Sequence, residues 1–504
     1  MTERARRRKT RKTRTVGLIQ QAPWKTLKYQ RPPHELLGDD AIEQIHQAAQ
    51  TVLRDTGMVV LSEIAREAYS RAGCSVDEER VRFDPEHLDE LLASAPSSFT
   101  LQARNPDRNI RLGDGHAVFT AVGGPAYVMD LDRGRRTGTY AEMCDFIRLV
   151  QSLDVLHQEG GGGFEAMDLP ASSRHLDLFY AECTLLDKNW VPWTMGRDQV
   201  LDAVNMATIS LGKSTDELLE SPALCGIINT NTPLQLDIPM AEGLMTMAEY
   251  GQAVAVTPFT LSGAMAPVTL AGALTLQHAE AMAGIALTQI VRPGAPVLYG
   301  GFTSNVDMKT GSPAFGTPEY LQAAQASGQL SRKLGVPFRS SNVNAANAPD
   351  AQAAYESCLS LWGAITGQAH MIKHAAGWLH GGLTASLEKL IIDAEVLQMV
   401  AASLEPFEVN AETLAMEAIR EVGPGGHFFG SAHTMERYED AFYAPLVSNW
   451  SNYETWLESG SVSTEQRANQ IWKQLLQEYE QPPLDPAVDE ALKDYVARRK
   501  LELD

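Results

Sequence analysis

The chain has 504 residues, of which 44% are hydrophobic and 21% charged, and its formal net charge is −21. This composition is typical of a globular protein with a large core, and the negative charge argues against general nucleic-acid binding. Five widely spaced cysteines predict no disulfide framework. No apolar run approaches the roughly 20 residues that span a bilayer. We therefore expect a cytoplasmic protein that binds neither nucleic acid nor membrane.

The N-terminus is the exception to this acidic balance. Residues 1–34 are predicted to form a basic, disordered tail, because eight arginines and lysines crowd between Arg4 and Arg14. The block lacks the apolar stretch and small-residue cleavage site of a signal peptide. A docking arm for an acidic partner is the alternative interpretation.

Residues 35–98 are predicted to form a helical N-terminal region. Apolar residues recur at helical spacing over 40–54, and further helices are expected over 61–72 and 84–94. Between residues 99 and 136 the pattern changes to short strands broken by Asn-Pro, Gly-Asp-Gly and Asp-Arg-Gly turns.

Residues 99–402 are predicted to form an α/β fold of the (β/α)8 type, a TIM barrel. Eight short apolar runs alternate with Ala-, Leu- and Glu-rich segments of helical length, which is the count for this barrel. A doubly wound open sheet gives the same alternation with another count. The strands are predicted near 117–122, 154–158, 189–195, 223–229, 254–262, 296–302, 336–341 and 369–375. The helices are predicted over 140–152, 173–187, 198–211, 237–251, 269–290, 317–333, 350–366 and 384–402.

Residues 403–504 are predicted to form a helical C-terminal extension. Its centre, residues 421–460, is unusually aromatic for a surface segment. Aromatic density of this kind more often covers one end of a barrel or meets a partner than lies in solvent. The extension therefore favours a homo-oligomer.

In a parallel barrel the active site lies at the carboxyl ends of the strands. The side chains there are mostly amides, hydroxyls and aromatic rings, without a GxSxG motif or a phosphate-binding glycine fingerprint. Such a pocket suits a cationic, poorly hydrated ligand held by π faces. The catalytic candidates are Glu159, Asn229, Ser340, Asn342 and His374. The substrate-binding candidates are Trp193, Tyr299, Phe302, Arg339, Asn344, Lys373 and Trp378.

Two expected roles divide these candidates. Candidates for an aromatic cage, with barrel packing as the alternative for any one ring, are Trp193, Tyr299, Phe302 and Trp378. Candidates for holding a substrate carboxylate are Arg339, Lys373 and His374, with an ordinary loop ion pair as the alternative for Arg339.

No metal site is predicted. His370 and His374 point the same way on the last strand, but they stand about 13 Å apart along it. That distance is too long for both side chains to share one ion without a bend in the strand. The glycine run 160–163 follows the second strand but lacks the P-loop lysine and the Rossmann spacing, which favours a flexible loop.

Several long segments occur in one order along the chain: ARNPDRNIRLGDGHAVFTAVGGPAYVMDLDRG, FTSNVDMKTGSPAFGTPEY, SSNVNAANAPDAQAAYES, HAAGWLHGGLTASLEKLIIDAE and EVGPGGHFFGSAHTMERYEDAFYAPL. They resemble the trimethylamine methyltransferase (MttB-like) superfamily. The resemblance covers nearly all of the chain from about residue 35. It implies a (β/α)8 barrel, in agreement with the strand count.

The archetype of that family demethylates trimethylamine and passes the methyl group to a separate corrinoid protein, using pyrrolysine at the barrel mouth. The present chain has no such residue around 340–344, where the resemblance places it. Pyrrolysine-free relatives are associated with quaternary amines such as glycine betaine, carnitine and proline betaine. The resemblance therefore implies a quaternary-amine:corrinoid methyltransferase, with glycine betaine as the expected substrate.

The corrinoid is expected on a cognate partner protein, and no cofactor is expected on this chain. The segment DVLHQEGG, residues 154–161, is similar in composition to the cobalamin-binding pattern Asp-x-His-x-x-Gly, but Asp154 and His157 are three apart instead of two. Two alternatives stay open. One is methyl transfer to a thiol or a pterin without corrinoid, and the other is a betaine-binding barrel without catalysis.

Overall fold

The structure is a computed structural model, and it describes residues 19–503. The predicted basic cluster between Arg4 and Arg14 lies outside the described residues. Among residues 19–503, no helix combines the length and the apolar character needed to cross a bilayer.

The amino-terminal part is mixed, whereas the sequence predicted helices alone. The predicted helices are found as α1, α2 and α3, but short Val-rich runs between them form strands that are too brief to show a sequence period. The elements are β1 (Leu27–Lys28), α1 (Asp39–Thr51), β2 (Met58–Val60), α2 (Glu63–Arg71), β3 (Ser75–Asp77), β4 (Arg80–Arg82), α3 (Pro85–Leu92), β5 (Phe99–Leu101) and β6 (Ile110–Leu112).

Residues 19–34 are packed against the rest of the chain, so the prediction of disorder does not hold for them. Leu27 is buried and pairs with Ala117 in an antiparallel register. The Tyr29 hydroxyl donates to the Ala369 carbonyl at 2.7 Å. The prediction missed these contacts because the many basic residues dominate the average composition of residues 1–34, which hides the few apolar and aromatic residues.

The central part alternates strands and helices. Its elements are β7 (His116–Phe119), β8 (Tyr127–Asp130), β9 (Gly134–Arg136), α4 (Tyr140–Ser152), α5 (Arg174–Leu185), α6 (Arg197–Leu211), α7 (Thr215–Glu220), β10 (Cys225–Ile228), β11 (Gln235–Leu236), α8 (Ile238–Glu249), β12 (Ala253–Val256), β13 (Phe259–Ser262), α9 (Leu270–Val291), β14 (Val297–Gly300), β15 (Phe302–Val306), β16 (Pro313–Ala314), α10 (Pro318–Leu334), β17 (Phe338–Ser341), α11 (Ala351–Thr366), β18 (Met371–Lys373), β19 (Trp378–Leu379), β20 (Thr384–Ser386) and α12 (Leu387–Ser403).

The helices of this part begin and end where local chemistry dictates. The Thr139 side chain forms a capping box at the start of α4, and Asp350 and Ser386 accept amide hydrogen bonds at the starts of α11 and α12. Gly212 and Gly335 end α6 and α10 in the left-handed conformation. The predicted helix limits agree with the structure within a few residues.

The central sheet is parallel, in the order β7-β18-β17-β14-β12-β10, with β1 added antiparallel to β7. The first and last strands of the alternating part, β7 and β18, are therefore neighbours. The predicted strands 154–158 and 189–195 are present only as the single parallel bridges Thr120–Gln158 and Gln158–Asn189. Glycines 160–163 and Pro192 interrupt the extended backbone there. The chain thus has an α/β fold, with no continuous closed ladder within residues 19–503.

The amino end of the sheet interior is filled by the β5–β6 hairpin. Side chains of the hairpin pack against the inward-facing residues of the parallel strands in one buried apolar cluster, which includes Phe99, Leu101, Ile110, Leu112, Val118, Cys225, Ala253, Ala255, Leu298 and Met371. Further small sheets lie outside this cluster. β11 pairs with β2 in a four-stranded sheet that also contains β4 and β3, and β13, β15 and β16 form a three-stranded sheet. The interior is consequently open toward the carboxyl ends of the strands.

The carboxyl-terminal extension is only partly helical. It contains α13 (Met416–Val422), α14 (Ala432–Met435), α15 (Tyr453–Glu458), α16 (Thr464–Glu478) and α17 (Pro486–Leu503). α16 packs on α12 and α4, and α17 packs on α5 and α6. Between them, the aromatic segment is exposed instead of covering the sheet: Phe429 is 84% and Phe442 87% accessible. The segment is tied down by Glu395, which accepts hydrogen bonds from Leu446 and Val447.

A candidate active site at the carboxyl ends of the strands

A cavity of about 760 Å³ lies at the carboxyl ends of the parallel strands. Its wall is formed by strand ends and by the loops that follow them, which is where the sequence placed the site. Seven of the predicted site residues line it: Trp193, Asn229, Phe302, Arg339, Lys373, His374 and Trp378.

The pleat of the strands decides which predicted residues reach the cavity. On β17, Arg339 points into the interior, while the next residue, Ser340, points outward to the layer that contains Tyr320. On β14, Tyr299 points outward, and its hydroxyl accepts from Gln277 Nε2 at 3.1 Å and contacts His278 on α9. Tyr299 and Ser340 therefore do not line the cavity, contrary to their predicted roles.

Arg339 is a buried cation that forms no ion pair with any carboxylate among residues 19–503. Its side chain is 1% exposed, and within residues 19–503 neither Nε nor Nη1 has a hydrogen-bond partner. Its guanidinium lies 5.4 Å from the centre of the Phe302 ring. Burial lowers the pKa of Arg339 to about 10, so the group remains charged at neutral pH. The predicted alternative, an ordinary loop ion pair, is not found among the described residues.

Lys373 provides a second cation on the same wall. Its Nζ donates to the carbonyl of Gly160. Burial lowers the pKa of Lys373 to about 8, while the negative charge of Glu159 acts in the opposite direction. The ammonium form therefore predominates at neutral pH, with the amine becoming neutral at mildly alkaline pH.

His374 stands between the cations and the aromatic wall. Its backbone is left-handed, with φ of 55°, a conformation that costs energy in a residue with a side chain. Burial, together with the charges of Arg339 and Lys373, holds the pKa of His374 well below its ordinary value. The imidazole is therefore neutral, with Nδ1 3.3 Å from the Ser341 hydroxyl.

Aromatic rings form the part of the cavity wall next to Arg339 and His374. The Phe302 ring lies 5.1 Å from Phe259 and 6.3 Å from Trp378, and the Trp378 ring lies 4.4 Å from His374, between ring centres. Gly382 makes this packing possible, because a Cβ there would lie 2.4 Å from the Trp378 ring and the φ of Gly382 is +98°. Trp193 completes the wall and donates to the Gly161 carbonyl at 3.3 Å.

Three predicted residues support the site from behind. Glu159 is fully buried and accepts from the amides of Gly161 and Gly162. Asn342 donates to the Ala375 carbonyl and Asn344 to the Trp378 carbonyl, both at 2.8 Å. These two amides fasten the loop after β17 to the loop after β18, so they hold the cavity wall without facing it.

Sequence reasoning missed a set of soft apolar side chains on the cavity wall: Phe259, Met195, Met240 and Met265. Phe259 lies inside the predicted strand 254–262, which the structure divides into β12 and β13. His370 lies at the other end of β18 from His374, where its Nδ1 accepts from the Phe338 amide.

The model of the family described as trimethylamine methyltransferase (MTTB) matches residues 3–504. The chain belongs to this family. It is therefore a methyltransferase. A glycine betaine methyltransferase of Desulfitobacterium hafniense (strain Y51) is 36% identical over 473 residues, which are 94% of this chain and 98% of that protein.

Trimethylamine methyltransferase MttB2 of Methanosarcina mazei is 28% identical, over 92% of this chain and 94% of that protein. Among solved structures, the hydroxylamine complex of MtmB matches with a TM-score of 0.48 and 10% identity, covering 91% of this chain and 94% of that one.

Proposed function

We propose that this methyltransferase demethylates a quaternary amine that carries a carboxylate, with glycine betaine as the first candidate, and passes the methyl group to the Co(I) of a separate corrinoid protein. We also propose that the eight strand-and-helix repeats form a (β/α)8 barrel. The neighbouring positions of β7 and β18, and the bridges at Gln158, support this architecture.

The observation that carries the proposal is the unpaired cation at Arg339. A buried charge without a partner is destabilising unless a ligand neutralises it. A carboxylate matches a guanidinium in charge and in its planar, bidentate geometry. Lys373 lies on the same wall and adds a second positive charge. A substrate with a carboxylate is thus favoured over trimethylamine, which has none.

The aromatic wall suits the other end of such a substrate. Phe302, Trp378 and Trp193 offer π faces to a trimethylammonium group, and such contacts are worth about 0.5–2 kcal/mol. The two cations would repel a ligand that carries only a positive charge. A zwitterion satisfies both walls, because its carboxylate shields its ammonium group from Arg339.

The chemistry needs little from the protein beyond position and electrostatics. When the C–N bond breaks, its electron pair stays on nitrogen, so the leaving group is a neutral tertiary amine that requires no proton. A Co(I) corrinoid on the partner protein supplies the electron pair that accepts the methyl group. His374 is neutral and therefore adds no positive charge against the cation. Holding the carboxylate at Arg339 fixes the direction in which one methyl group points.

The mouth of the cavity fits an acceptor that arrives from outside. Asn229 and Met195 lie on the cavity wall and are accessible to solvent, with Met195 48% exposed. This exposed rim is the side from which we expect a large planar group to approach the methyl group.

The test compares glycine betaine with choline, which shares the trimethylammonium group but has no carboxylate. Calorimetry should give tighter binding of betaine, and the protein with a reduced corrinoid protein should convert betaine to dimethylglycine. Equal binding of choline would refute the carboxylate assignment. Betaine binding without transfer to corrinoid, or transfer to a thiol or a pterin instead, would refute the assigned acceptor.

A further inference from the structure

The loop over Gly160–Gly163 connects two cavity residues to one buried carboxylate. Its carbonyls face the cavity side: that of Gly160 accepts from Lys373 Nζ, and that of Gly161 accepts from Trp193 Nε1. Its amides face the other way, since Gly161 and Gly162 donate to Glu159 at 2.5 and 3.1 Å. One carboxylate thereby fixes the backbone that orients an ammonium group and an indole ring.

This glycine run is packed, whereas the sequence favoured a flexible loop. All four glycines are buried. A Cβ at Gly162 would lie 2.7 Å from Leu178, and one at Gly163 would lie 2.4 Å from Phe146. Because this packing leaves the loop no room to adjust, a change in the position of Glu159 should also move the loop carbonyls that hold Lys373 and Trp193.

Glu182 on α5 neighbours Glu159, and its surroundings favour the protonated form of its carboxyl group. Burial, and secondly the charge of Glu159, raise the pKa of Glu182 well above its ordinary value. No donor among residues 19–503 reaches its oxygens, and a hydrogen bond between the two carboxyl groups raises the pKa of Glu182 further. Burial and the proximity of the two carboxyl groups favour a single negative charge on the pair, and the two amide donors favour its location on Glu159.

The charged and titratable groups around Lys373 lie on β17, β10 and α5, in the segment that contains Glu159, and at the adjoining residue His374. Arg339 on β17 is positive, and it lowers the pKa of Lys373. Burial raises the pKa of Cys225 on β10 to about 12, so that thiol is neutral, as is His374. Among the groups that raise the pKa of Lys373, the negative charge of Glu159 contributes most.

We propose that Glu159, which does not touch the cavity, is a positioning residue: it holds Lys373 and Trp193 through the glycine loop and supplies the negative charge that balances the Lys373 ammonium group. The role in substrate recognition rests on the proposed function, because Lys373 is there assigned to a carboxylate. The role in setting the charge of Lys373 is independent of it.

The experiment measures how the reactivity of Lys373 depends on pH, by trace acylation of the full chain and mass spectrometry of the peptide. The wild-type midpoint is expected near pH 8. Glu159→Gln keeps an acceptor for the amides but removes the charge, so the midpoint should fall by about one pH unit. Glu159→Asp keeps the charge at a greater distance and should give an intermediate value. Glu182→Gln keeps a side chain of equal size and should move the midpoint by less than Glu159→Gln does, because Glu159 has the larger effect on the pKa of Lys373.

Either Glu159 variant suffices if the other does not fold. A wild-type midpoint that both folded variants retain would overturn the proposal, as would a shift in Glu182→Gln as large as that in Glu159→Gln. In parallel, the pH above which glycine betaine binding weakens should move down with the Lys373 midpoint. If wild-type protein binds no betaine, the proposed function fails while the acylation result still decides the role of Glu159.

Discussion

Replacing Arg339 with methionine removes a buried charge and keeps a side chain of similar length. Because no carboxylate among residues 19–503 offsets this charge, the substitution should have two opposite effects. The protein without ligand should become more stable, and its affinity for glycine betaine should fall. Both effects come from the same uncompensated charge, so they should appear together in one variant.

The pKa of Arg339 gives the size of the first effect. Its lowering from 12.5 to about 10 corresponds to about 3 kcal/mol of destabilisation of the charged form. Methionine removes that cost, so the thermal midpoint should rise by a few degrees. A betaine carboxylate offsets the same cost when it binds. The loss of affinity should therefore also be about 3 kcal/mol, which is about a hundredfold in Kd.

Calorimetric titration of glycine betaine and choline into wild type and Arg339→Met measures the ratio of the two affinities. The preference for betaine over choline should fall in the variant for two reasons: betaine loses the partner of its carboxylate, and choline meets one positive charge fewer. Arg332→Met is the matched control, since Arg332 pairs with Glu35 at the outer surface, and it should keep the wild-type ratio. An unchanged ratio in a folded Arg339→Met protein would refute the assignment of the carboxylate to Arg339.

Three further results are expected. Phe302→Leu should weaken betaine binding, measured by calorimetry, by about 0.5–2 kcal/mol through loss of a cation–π contact. Tyr299→Phe should leave binding unchanged, because the Tyr299 hydroxyl faces α9. Equal effects of the two substitutions would contradict the assignment of Phe302, and not Tyr299, to the cavity wall. Betaine affinity should fall as pH rises past about 8, where Lys373 loses its proton, while choline affinity should not fall; parallel titration curves would argue against Lys373. Gly382→Ala places a methyl group 2.4 Å from the Trp378 ring and should lower the thermal midpoint of unfolding. Gly460→Ala is the control, because Gly460 has the same φ of 98° but a single neighbouring atom, at 4.0 Å, and it should lower the midpoint less. Similar losses in the two variants would show that backbone strain alone matters.

The helices could be predicted from the sequence because their signals are local. Side chains such as Thr139 and Asp350 cap the helices that follow them, and Gly335 ends α10. The second and third strands could not be predicted in the same way. Each is reduced to a bridge at Gln158 or Asn189, and a short apolar run does not reveal whether a ladder forms beside it.

The end of the sheet that carries the site could be predicted, but the facing of single residues could not. Parallel strands are buried on both faces, so their sequence lacks the alternation that would mark the inner side. Tyr299 and Phe302 are both aromatic and three residues apart, yet one faces α9 and the other the cavity. Likewise, Arg339 lines the cavity and its neighbour Ser340 does not, and the sequence offers no sign of this difference.

The sequence alone also could not predict that Arg339 has no counter-charge among the described residues. Many carboxylates occur in the chain, and any of them could have paired with this arginine. Only the packed arrangement shows that Glu159 turns to the glycine loop and that no other described carboxylate approaches the guanidinium.

The β5–β6 hairpin has a consequence for the order of events in catalysis. Because Phe99, Leu101, Ile110 and Leu112 fill the amino end of the interior, the cavity is reached from the carboxyl ends of the strands. A methyl acceptor seated over that opening would close the route for the amine. The amine must then enter before the acceptor arrives, and its demethylated product must wait until the acceptor departs. Steady-state kinetics should accordingly follow a compulsory order, with excess acceptor protein inhibiting turnover at low amine concentration.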